Sequence, residues 1–197
     1  MSDPNGTPTQ CSDCGPDWFC DDYGGASLDG CRWTQTTGNW TQGGGVVTCP
    51  VAASATLYEL DSRVPDISGD FTAAVDVILN TFGSSAGKFS AASLRIDTDD
   101  SGNTPYHLAE FYYENGDLRV YRCYHEGSYG GSTETVLSSG TFSIQRSGST
   151  WTYKIGATTI YSASGSTNAV KRIYLTLYDS QASPTLDADF DDFMIST

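Results

Sequence analysis

The stretch KRIYLTLYD, residues 171–179, alternates between aliphatic side chains and side chains that carry hydroxyl groups. Its members are Ile173, Leu175 and Leu177 on one side and Tyr174, Thr176 and Tyr178 on the other. Successive side chains of a β-strand point to opposite faces of the sheet. The alternation therefore predicts a strand with one face in a hydrophobic core.

Alternating runs of this kind recur along the chain, separated by clusters of Gly, Ser, Asn and Asp. We predict strands over residues 45–49, 55–60, 71–79, 93–97, 106–113, 117–124, 141–146, 150–156, 171–179 and 187–195. So many strands in one chain indicate two packed antiparallel sheets. The sequence predicts an all-β, two-sheet antiparallel β-sandwich over residues 18–197, preceded by a short cysteine-rich N-terminal arm, residues 1–17.

The charge of the chain excludes several classes of partner. Ten Lys and Arg residues stand against 24 Asp and Glu residues, which gives a formal net charge of −14. Such a surface repels phosphate backbones and anionic lipids, so we expect neither nucleic acid nor a membrane as a partner. The opening MSDPNGTPTQ has neither the basic nor the apolar region of a secretory signal. We therefore expect a protein made in the cytoplasm, unless a leader precedes this sequence.

Three segments resemble one known family. They are WFCDDYGGASLDGCRWTQTTGNWTQGGG at 18–45, GTFSIQRSGSTWTYKIGATTIY at 140–161 and LDADFDDFMI at 186–195. They are similar to the opening, a three-strand meander and the closing strand of concanavalin A-like lectin/glucanase (laminin G-like) jelly-roll domains. The resemblance implies a jelly roll whose last strand pairs beside its first. The fold serves lectins, glycanases, adhesive domains and virion parts, so it does not by itself imply a function.

The glucanases of this family carry E-x-D-x-x-E on one strand, and this chain lacks the last acid. The nearest string runs from Glu59 through Asp61 to Val64, so the general acid is missing. A retaining glycosidase needs two carboxyl groups about 5 Å apart. We interpret Glu110 and Glu126 as isolated acids at solvated strand ends. The sequence therefore predicts that the protein is not an enzyme.

Neither histidine belongs to a recognisable catalytic or metal-binding spacing. His107 falls on a predicted strand and His125 just beyond one. No Ser, Cys or further ligand stands at the distance that a catalytic triad or a zinc hydrolase requires.

The resemblance also implies a structural calcium ion near the seam of the first and last strands. Calcium prefers six to eight hard oxygen ligands. We predict that Asp22, Asp189 and Asp191 contribute to such a site, with Asp21 and Asp192 beside them. A second candidate is the acidic loop over 97–102, which lacks the closing Glu of a calcium loop because Leu108 occupies that position.

Four cysteines near the N-terminus have the spacing C-x2-C-x5-C-x10-C. They are Cys11, Cys14, Cys20 and Cys31. Two cysteines separated by two residues suit one tetrahedral zinc ion better than a disulfide with each other. An even total of six cysteines also permits three disulfides. We predict a structural staple that holds zinc or, as the alternative, disulfides; Cys49 and Cys123 are either buried thiols or a bridge.

Large aromatic residues mark the predicted core. We expect Trp33 and Trp40 to be buried at the two ends of a hairpin, and Trp151 and Tyr153 to face the core from one strand. Arg146 precedes a Ser-Gly turn, where an arginine either covers the sheet edge or contacts a ligand.

Three function classes remain. The first is a non-catalytic attachment protein, most simply a decoration, fibre or appendage domain on the virion surface of a tailed phage. The second is an extracellular carbohydrate-binding module, and the third is a degenerate glycanase. Sugar binding would use tyrosines on a sheet face, and the candidates are Tyr112, Tyr121, Tyr174 and Tyr178. The partners that we expect are other virion proteins, further copies of the chain, and surface glycans.

Overall fold

The computed structural model describes residues 18–21, 23–30, 32–51, 55–62, 66–82, 88–98, 106–114, 118–134, 139–181 and 185–197. The predicted arm, residues 1–17, lies outside these ranges. Within them the chain forms β-strands and no helix, so none of the described segments is a helix that could cross a membrane.

The strands follow one another along the chain with short connections. They are β1 (Trp18–Asp21), β2 (Trp33–Thr37), β3 (Thr41–Gly43), β4 (Val46–Thr48), β5 (Thr56–Ser62), β6 (Phe71–Thr81), β7 (Phe89–Asp97), β8 (Tyr106–Glu114), β9 (Leu118–His125), β10 (Ser128–Glu134), β11 (Ser139–Ser147), β12 (Thr150–Ile155), β13 (Thr158–Ser164), β14 (Arg172–Asp179) and β15 (Asp187–Ser196).

These strands form two antiparallel sheets. The eight-stranded sheet has the order β13-β12-β11-β6-β15-β4-β3, with β1 also paired to β15. The seven-stranded sheet has the order β10-β9-β8-β7-β14-β5-β2. The chain passes repeatedly between the sheets, so that β14 lies between β5 and β7 while β15 lies between β4 and β6. This course is that of a jelly roll, and the predicted two-sheet antiparallel sandwich is confirmed.

All ten strands predicted from alternation are present within a few residues of their expected bounds. The meander implied at 140–161 is confirmed as β11, β12 and β13. The closing strand β15 pairs beside β1, as the resemblance implied. Alternation alone does not predict β1, β2, β3, β10 and β13, because these strands are short or rich in Gly, Ser and Thr.

The core lies between the two sheets and is built from alternating positions. In β6 the buried face runs from Phe71 to Leu79, and in β14 it contains Ile173, Leu175 and Leu177. Trp151 and Tyr153 of β12 are fully buried, which confirms their predicted orientation. Aromatic rings pack edge to face across the core, for example Phe71 against Trp151 at a centroid distance of 5.7 Å.

Trp33 and Trp40 are both buried, but they do not flank a hairpin. Trp33 begins β2 in the seven-stranded sheet, whereas Trp40 precedes β3 in the eight-stranded sheet. The segment between them crosses from one sheet to the other. The Trp33 ring donates from Nε1 to the Asp21 carboxylate at 2.7 Å and packs on Phe193, which ties β1, β2 and β15 together.

Arg146 is buried inside the sandwich, which corrects both sequence interpretations. Only 1% of its surface is exposed, so it neither covers a sheet edge nor reaches a ligand in solution. Its guanidinium lies over the rings of Phe71 and Trp151 at 5.1 and 5.4 Å. It donates hydrogen bonds to the backbone carbonyls of Gly69 and Asn168. The cation is therefore held by aromatic faces and carbonyl oxygens.

Replacing Gly38 by alanine is expected to lower the free energy of unfolding by about 2–3 kcal/mol. Gly38 has φ of +103°, a backbone conformation that L-residues rarely adopt. An added Cβ would lie 2.6 Å from the Tyr58 ring and 2.7 Å from the Cys49 sulfur, both of which are buried. Urea unfolding measures the loss. Gly44 has positive φ and open space around it, so Gly44→Ala is the control for backbone strain alone.

Candidate functional site

The seven-stranded sheet turns one face away from the core, and we call this surface the outer face. Antiparallel register aligns its side chains in rows that run across the strands. One row contains Tyr129, Tyr124, Leu108, Arg95, Tyr174 and Asp61. The next contains Ser132, Arg122, Glu110, Ser93, Thr176 and Glu59. A third contains Tyr112, Ala91, Tyr178 and Leu57.

A shallow depression of about 210 Å³ lies on this face. Strands β5, β7, β8 and β14 form its floor and walls. The small side chains of Ala91, Ser93 and Thr176 leave the space, and larger residues surround it. Those larger residues include Leu57, Phe89, Arg95, Tyr106, Glu110 and Tyr178. Concave sites that combine aromatic walls with a few fixed polar groups are typical binding sites for small ligands.

Arg122, which is half-buried, and Glu110, which is buried, form an ion pair on the outer face. Arg122 Nε donates to Glu110 Oε1, and Ser93 Oγ donates to Glu110 Oε2 at 3.1 Å. The Arg122 guanidinium lies 3.3 Å from the centroid of Tyr112 and 5.2 Å from that of Tyr124. Burial raises the pKa of the Glu110 carboxyl, and the Arg122 charge opposes that rise. The pair is fixed by stacking and by hydrogen bonds.

Arg95 forms a second assembly of the same kind. Its Nε and Nη2 donate to the two oxygens of Asp97 at 2.8 and 3.1 Å, a bidentate geometry that fixes the guanidinium plane. Glu59 Oε1 lies 3.9 Å from Nη1. The guanidinium lies over Tyr106 at 4.9 Å and over Tyr174 at 5.6 Å. Arginine stacks on aromatic faces in this way because its charge is delocalised over a plane.

Three of the four predicted tyrosines lie on the outer face, but two of them are buried there. Tyr112 and Tyr174 are only 7% and 3% exposed, because Arg122 and Arg95 cover their rings. Tyr178 is half-buried and stacks on Phe89 at a centroid distance of 5.0 Å.

Tyr121 lies in the core, which corrects its assignment to a ligand site. Its ring is 3% exposed and packs edge to face on Phe111 and Phe142, between the two sheets. It alternates with Arg122, so the outer face of β9 is formed by its neighbour.

Sequence reasoning also missed the ionic character of this face. The interpretation of Glu110 as a solvated strand end is wrong, since this residue lies at the centre of the sheet and is 4% exposed. Arg95 and Arg122 were not singled out. The available signal was the alternation of Arg122 with Tyr121 and Cys123, because it places the arginine on a face opposite two apolar residues.

Glu59 and Glu110, two carboxylates of the outer face, are too far apart to act together as a glycosidase pair. Glu59 and Glu110 lie in the same row, but β14 and β7 stand between their strands. Three strand spacings separate their backbones by about 14 Å. Inverting and retaining glycosidases need carboxyl groups about 6.5–9.5 Å and about 5 Å apart, respectively.

The described seam residues do not assemble a metal site by themselves. The Asp21 carboxylate is already hydrogen-bonded within the protein, since it accepts from Trp33 Nε1 and from the backbone N–H of Tyr23. Asp189 accepts from Asn80 at 2.8 Å, and Asp191 accepts from the backbone N–H of Asp192. Within the described ranges no group of three or more His, Cys, Asp or Glu side chains is placed to hold a metal ion.

Several predicted metal ligands fall outside the described residues. Cys11, Cys14, Cys31 and Asp22 lie in ranges that the structure does not describe, as does the acidic loop beyond Thr98. Cys20 lies in β1. Cys49 and Cys123 are buried free thiols, so they do not form the bridge that the sequence left open. Asp97, the first residue of the acidic loop, is bound to Arg95 instead.

If the seam holds calcium through Asp22, Asp189 and Asp191, the melting temperature should rise with calcium. A calcium concentration ten times the Kd adds about 1.4 kcal/mol to the stability, which corresponds to about 3–6 °C for a domain of this size. Thermal unfolding with millimolar calcium and with a chelator measures the shift, and Asp189→Asn should abolish it. Identical melting curves in calcium and chelator would refute the site.

The fold is shared with solved structures of low sequence identity. No family model and no curated protein matches the chain. The carbohydrate-binding module CBM66 from Bacillus subtilis superposes with a TM-score of 0.60 at 16% identity, over 84% of this chain and 96% of the module. A Bacillus licheniformis β-glucanase superposes with a TM-score of 0.67 at 11% identity, over 92% of this chain and 99% of the glucanase.

A module from a bacteriophage protein also has a fold similar to that of this chain. The CBM2 module of the evolved Dit of Lactobacillus casei BL23 phage J-1 superposes with a TM-score of 0.66 at 11% identity, over 91% of this chain and 95% of the module. Identities this low establish the fold and not the activity. The chain therefore has the concanavalin A-like jelly-roll fold.

Proposed function

We propose that the protein binds carbohydrate on the outer face of the seven-stranded sheet. The observation that carries the proposal is the depression on that face, which combines half-buried aromatic rings with fixed arginine–carboxylate pairs. Sugars present apolar ring faces and many hydroxyl groups, and both kinds of surface find partners there. Rigid polar groups favour binding, because little side-chain entropy is lost when the ligand arrives.

The comparisons support this proposal. Two of the similar structures are named carbohydrate-binding modules, and a third is named a β-glucanase. Their common architecture supports a glycan-binding role for this chain, and the depression supplies a place for it.

We further propose that the protein does not cleave its ligand. This chain departs from the glucanase motif E-x-D-x-x-E, because Val64 stands where the motif has its third acid. Glu110, the one carboxylate among the described residues that line the depression, is paired with Arg122. A glycosidase needs a second carboxylate at short range, and Glu59 lies too far away across the sheet. Incubation with soluble β-glucans and measurement of released reducing ends tests this proposal.

The narrower role that we propose is attachment on the surface of a virus particle. The net charge of −14 supports an exterior position, because it keeps particles soluble and disfavours contact with nucleic acid. The similarity to a module of a phage Dit supports it as well. The N-terminal cysteines Cys11, Cys14, Cys20 and Cys31, with zinc or as disulfides, would form the docking element for other virion proteins or for further copies of the chain.

Mass spectrometry of purified particles from the source tests the virion role. Detection of the chain in particles supports attachment, whereas its absence from particles together with its presence in culture medium indicates an extracellular carbohydrate-binding module. Zinc analysis with a count of free thiols under denaturing conditions distinguishes the zinc staple from disulfides.

Replacing Tyr178 by alanine is expected to weaken glycan binding about tenfold. Tyr178 lines the depression and its ring is held by Phe89. Aromatic contacts contribute about 0.5–1.5 kcal/mol beyond the burial of their area, and 1.4 kcal/mol corresponds to a factor of ten. A glycan array identifies the ligand, and isothermal titration calorimetry measures the Kd. Thr152→Ala, on the far side of the eight-stranded sheet, is the control. Equal affinities of the wild type and Tyr178→Ala would show that the Tyr178 ring does not contact the glycan.

A further inference from the structure

We infer that the ligand is an uncharged glycan whose hydroxyl groups are held by two arginines at once, Arg95 and Arg122, each fixed by its carboxylate partner in the pairs Arg95–Asp97 and Arg122–Glu110. This inference rests on the carbohydrate binding proposed above. It names the class of glycan and the residues that recognise it, and it replaces tyrosine stacking as the main contact.

The two pairs are built in the same way. Each guanidinium is bound to a carboxylate on its own sheet face and lies against two tyrosine rings. The ring centroids of Tyr106 in one assembly and Tyr124 in the other are 6.3 Å apart, so the two assemblies are in contact. Two similar polar assemblies side by side, each locked in position, form adjacent subsites on one surface.

The arginine of each pair remains accessible to a ligand. The Arg95 and Arg122 side chains are 15% and 18% exposed, while their carboxylate partners are almost fully buried. A guanidinium has five N–H donors, so one salt bridge does not exhaust them. Neighbouring sugar hydroxyls can accept from the exposed part of each guanidinium, while the buried carboxylate holds that guanidinium in place.

Stacking on the tyrosines cannot be the main contact at these subsites. The Arg122 guanidinium lies 3.3 Å from the Tyr112 centroid and occupies the ring face that a sugar would need. Tyr174 is 3% exposed beneath Arg95. The tyrosines therefore position the arginines, and the arginines meet the ligand.

The charge of the face selects against acidic glycans. Each of the two arginines is already matched by a carboxylate, and further carboxylates of Glu59 and Asp61 lie in the same rows. The whole chain carries a net charge of −14. A uronate or sulfate group would meet a field of its own sign and would have to displace a buried carboxylate from its arginine.

The spacing of the pairs sets a minimum length for the ligand. Arg95 lies on β7 and Arg122 on β9, with β8 between them, and their positions belong to neighbouring rows. Two strand spacings and one step of two residues separate their backbones by about 12 Å. A single sugar ring does not span this distance, so a monosaccharide reaches one pair and an oligosaccharide reaches both.

Titration calorimetry of the wild-type protein tests ligand class and length without any variant. The probes are β-1,3-glucan and mixed-linkage β-glucan oligosaccharides of increasing length, fructan oligosaccharides, and alginate and heparin oligosaccharides. We expect affinity for one uncharged series to rise at least tenfold from the monosaccharide to a length that covers both pairs and then to level off. Tighter binding of alginate or heparin than of every uncharged series overturns the inference.

Conservative variants test the residues. Arg95→Lys and Arg122→Lys keep the charge and remove the planar fork, so each is expected to weaken binding of the longest oligosaccharide at least tenfold. Neither should change binding of a monosaccharide at the other subsite. Melting temperatures confirm folding, and Glu110→Gln replaces Arg122→Lys if that variant unfolds. Unchanged affinity in folded variants of both pairs overturns the inference.

A third variant separates this inference from the proposed function. Thr176→Trp fills the depression beside the two pairs, since Thr176 lies in its floor on β14, the strand next to β7. If Thr176→Trp abolishes binding while the arginine variants bind normally, carbohydrate binding on this face stands and the two-pair inference fails. If the folded Thr176→Trp variant binds every probe as the wild type does, the proposed site itself is wrong, and the inference fails with it.

Discussion

Replacing Arg146 by methionine is expected to lower the free energy of unfolding by about 3–5 kcal/mol. Methionine fills much of the same volume but donates no hydrogen bond. The carbonyls of Gly69 and Asn168 would then lose the donors that Arg146 supplies, whereas the Ile67 carbonyl keeps the backbone N–H of Val170. A hydrogen bond from a charged donor contributes about 1.5–3 kcal/mol, and Arg146 makes several of them from a buried position, which is why the expected loss is large for one side chain.

Urea unfolding followed by tryptophan fluorescence measures this loss. Lys154→Met is the matched control, because Lys154 is a long cationic side chain in β12 that is half-buried. Its replacement should cost less than about 0.5 kcal/mol. The loss of stability in Arg146→Lys should be smaller than in Arg146→Met and larger than in Lys154→Met, since an ammonium group reaches fewer carbonyls than the planar guanidinium. A loss below 1 kcal/mol for Arg146→Met would mean that other donors or water replace the guanidinium.

The buried arginine shows what the sequence could not reveal. Arg146 follows Ile144 at the spacing of core residues, and both lie on the inward face of β11. Its charge nevertheless favoured an exposed interpretation. Its partners are backbone carbonyls near residues 67–69 and at Asn168, remote in the chain, and backbone groups leave no trace in side-chain patterns. Periodicity therefore gave the correct face, and residue chemistry argued against it.

The outer face was only partly predictable for a related reason. In β14 the two faces differ clearly, with Leu175 on one and Thr176 on the other, and the orientation of Tyr174 and Tyr178 followed correctly. In β8 both faces carry large residues, so alternation does not identify the core face. The same ambiguity in β9 placed Tyr121 on the wrong side. Cross-strand register, which brings Arg122 beside Glu110, requires the structure.

Another polar group sits deep between the sheets. His107 of β8 is fully buried and stacks on Trp151 at a centroid distance of 3.5 Å, with the ring planes 7° apart. Its Nδ1 lies 2.6 Å from the Tyr153 hydroxyl, and Nδ1 of His125 lies 3.0 Å from the same hydroxyl. One tyrosine thus joins two histidines across the core.

The hydrogen-bond partners assign the protons of this group. His125 Nε2 faces the carbonyl of Ser164 at 3.2 Å, so in the neutral ring Nε2 carries the proton and Nδ1 accepts from Tyr153. The Tyr153 oxygen then accepts from His107 Nδ1–H. His107 Nε2 is left as a bare, buried nitrogen with no hydrogen-bond partner among the described residues. A proton added there would be a buried charge without an acceptor.

The stability of the protein is therefore expected to fall in mild acid. Burial, with the nearby His125 and Arg146, lowers the pKa of His107 from 6.5 to about 3. At a pH between about 3 and 6.5, His107 is protonated in the unfolded chain but not in the folded chain. The contribution of His107 to stability is therefore fully present above pH 6.5 and is lost as the pH falls toward about 3. The expected loss from His107 is about 2 kcal/mol between pH 8 and pH 5, and about 4–5 kcal/mol by pH 3.

Urea unfolding of the wild type and of His107→Phe at pH 8 and pH 5 isolates this effect. Phenylalanine keeps the stack on Trp151 and leaves Tyr153 bonded to His125, but it cannot bind a proton. The variant should be somewhat less stable at pH 8 and should lose about 2 kcal/mol less than the wild type on going to pH 5. Ordinary carboxylates contribute little above pH 5, so they do not obscure the comparison. Parallel losses in the two proteins would show that His107 takes up its proton without cost in the folded state.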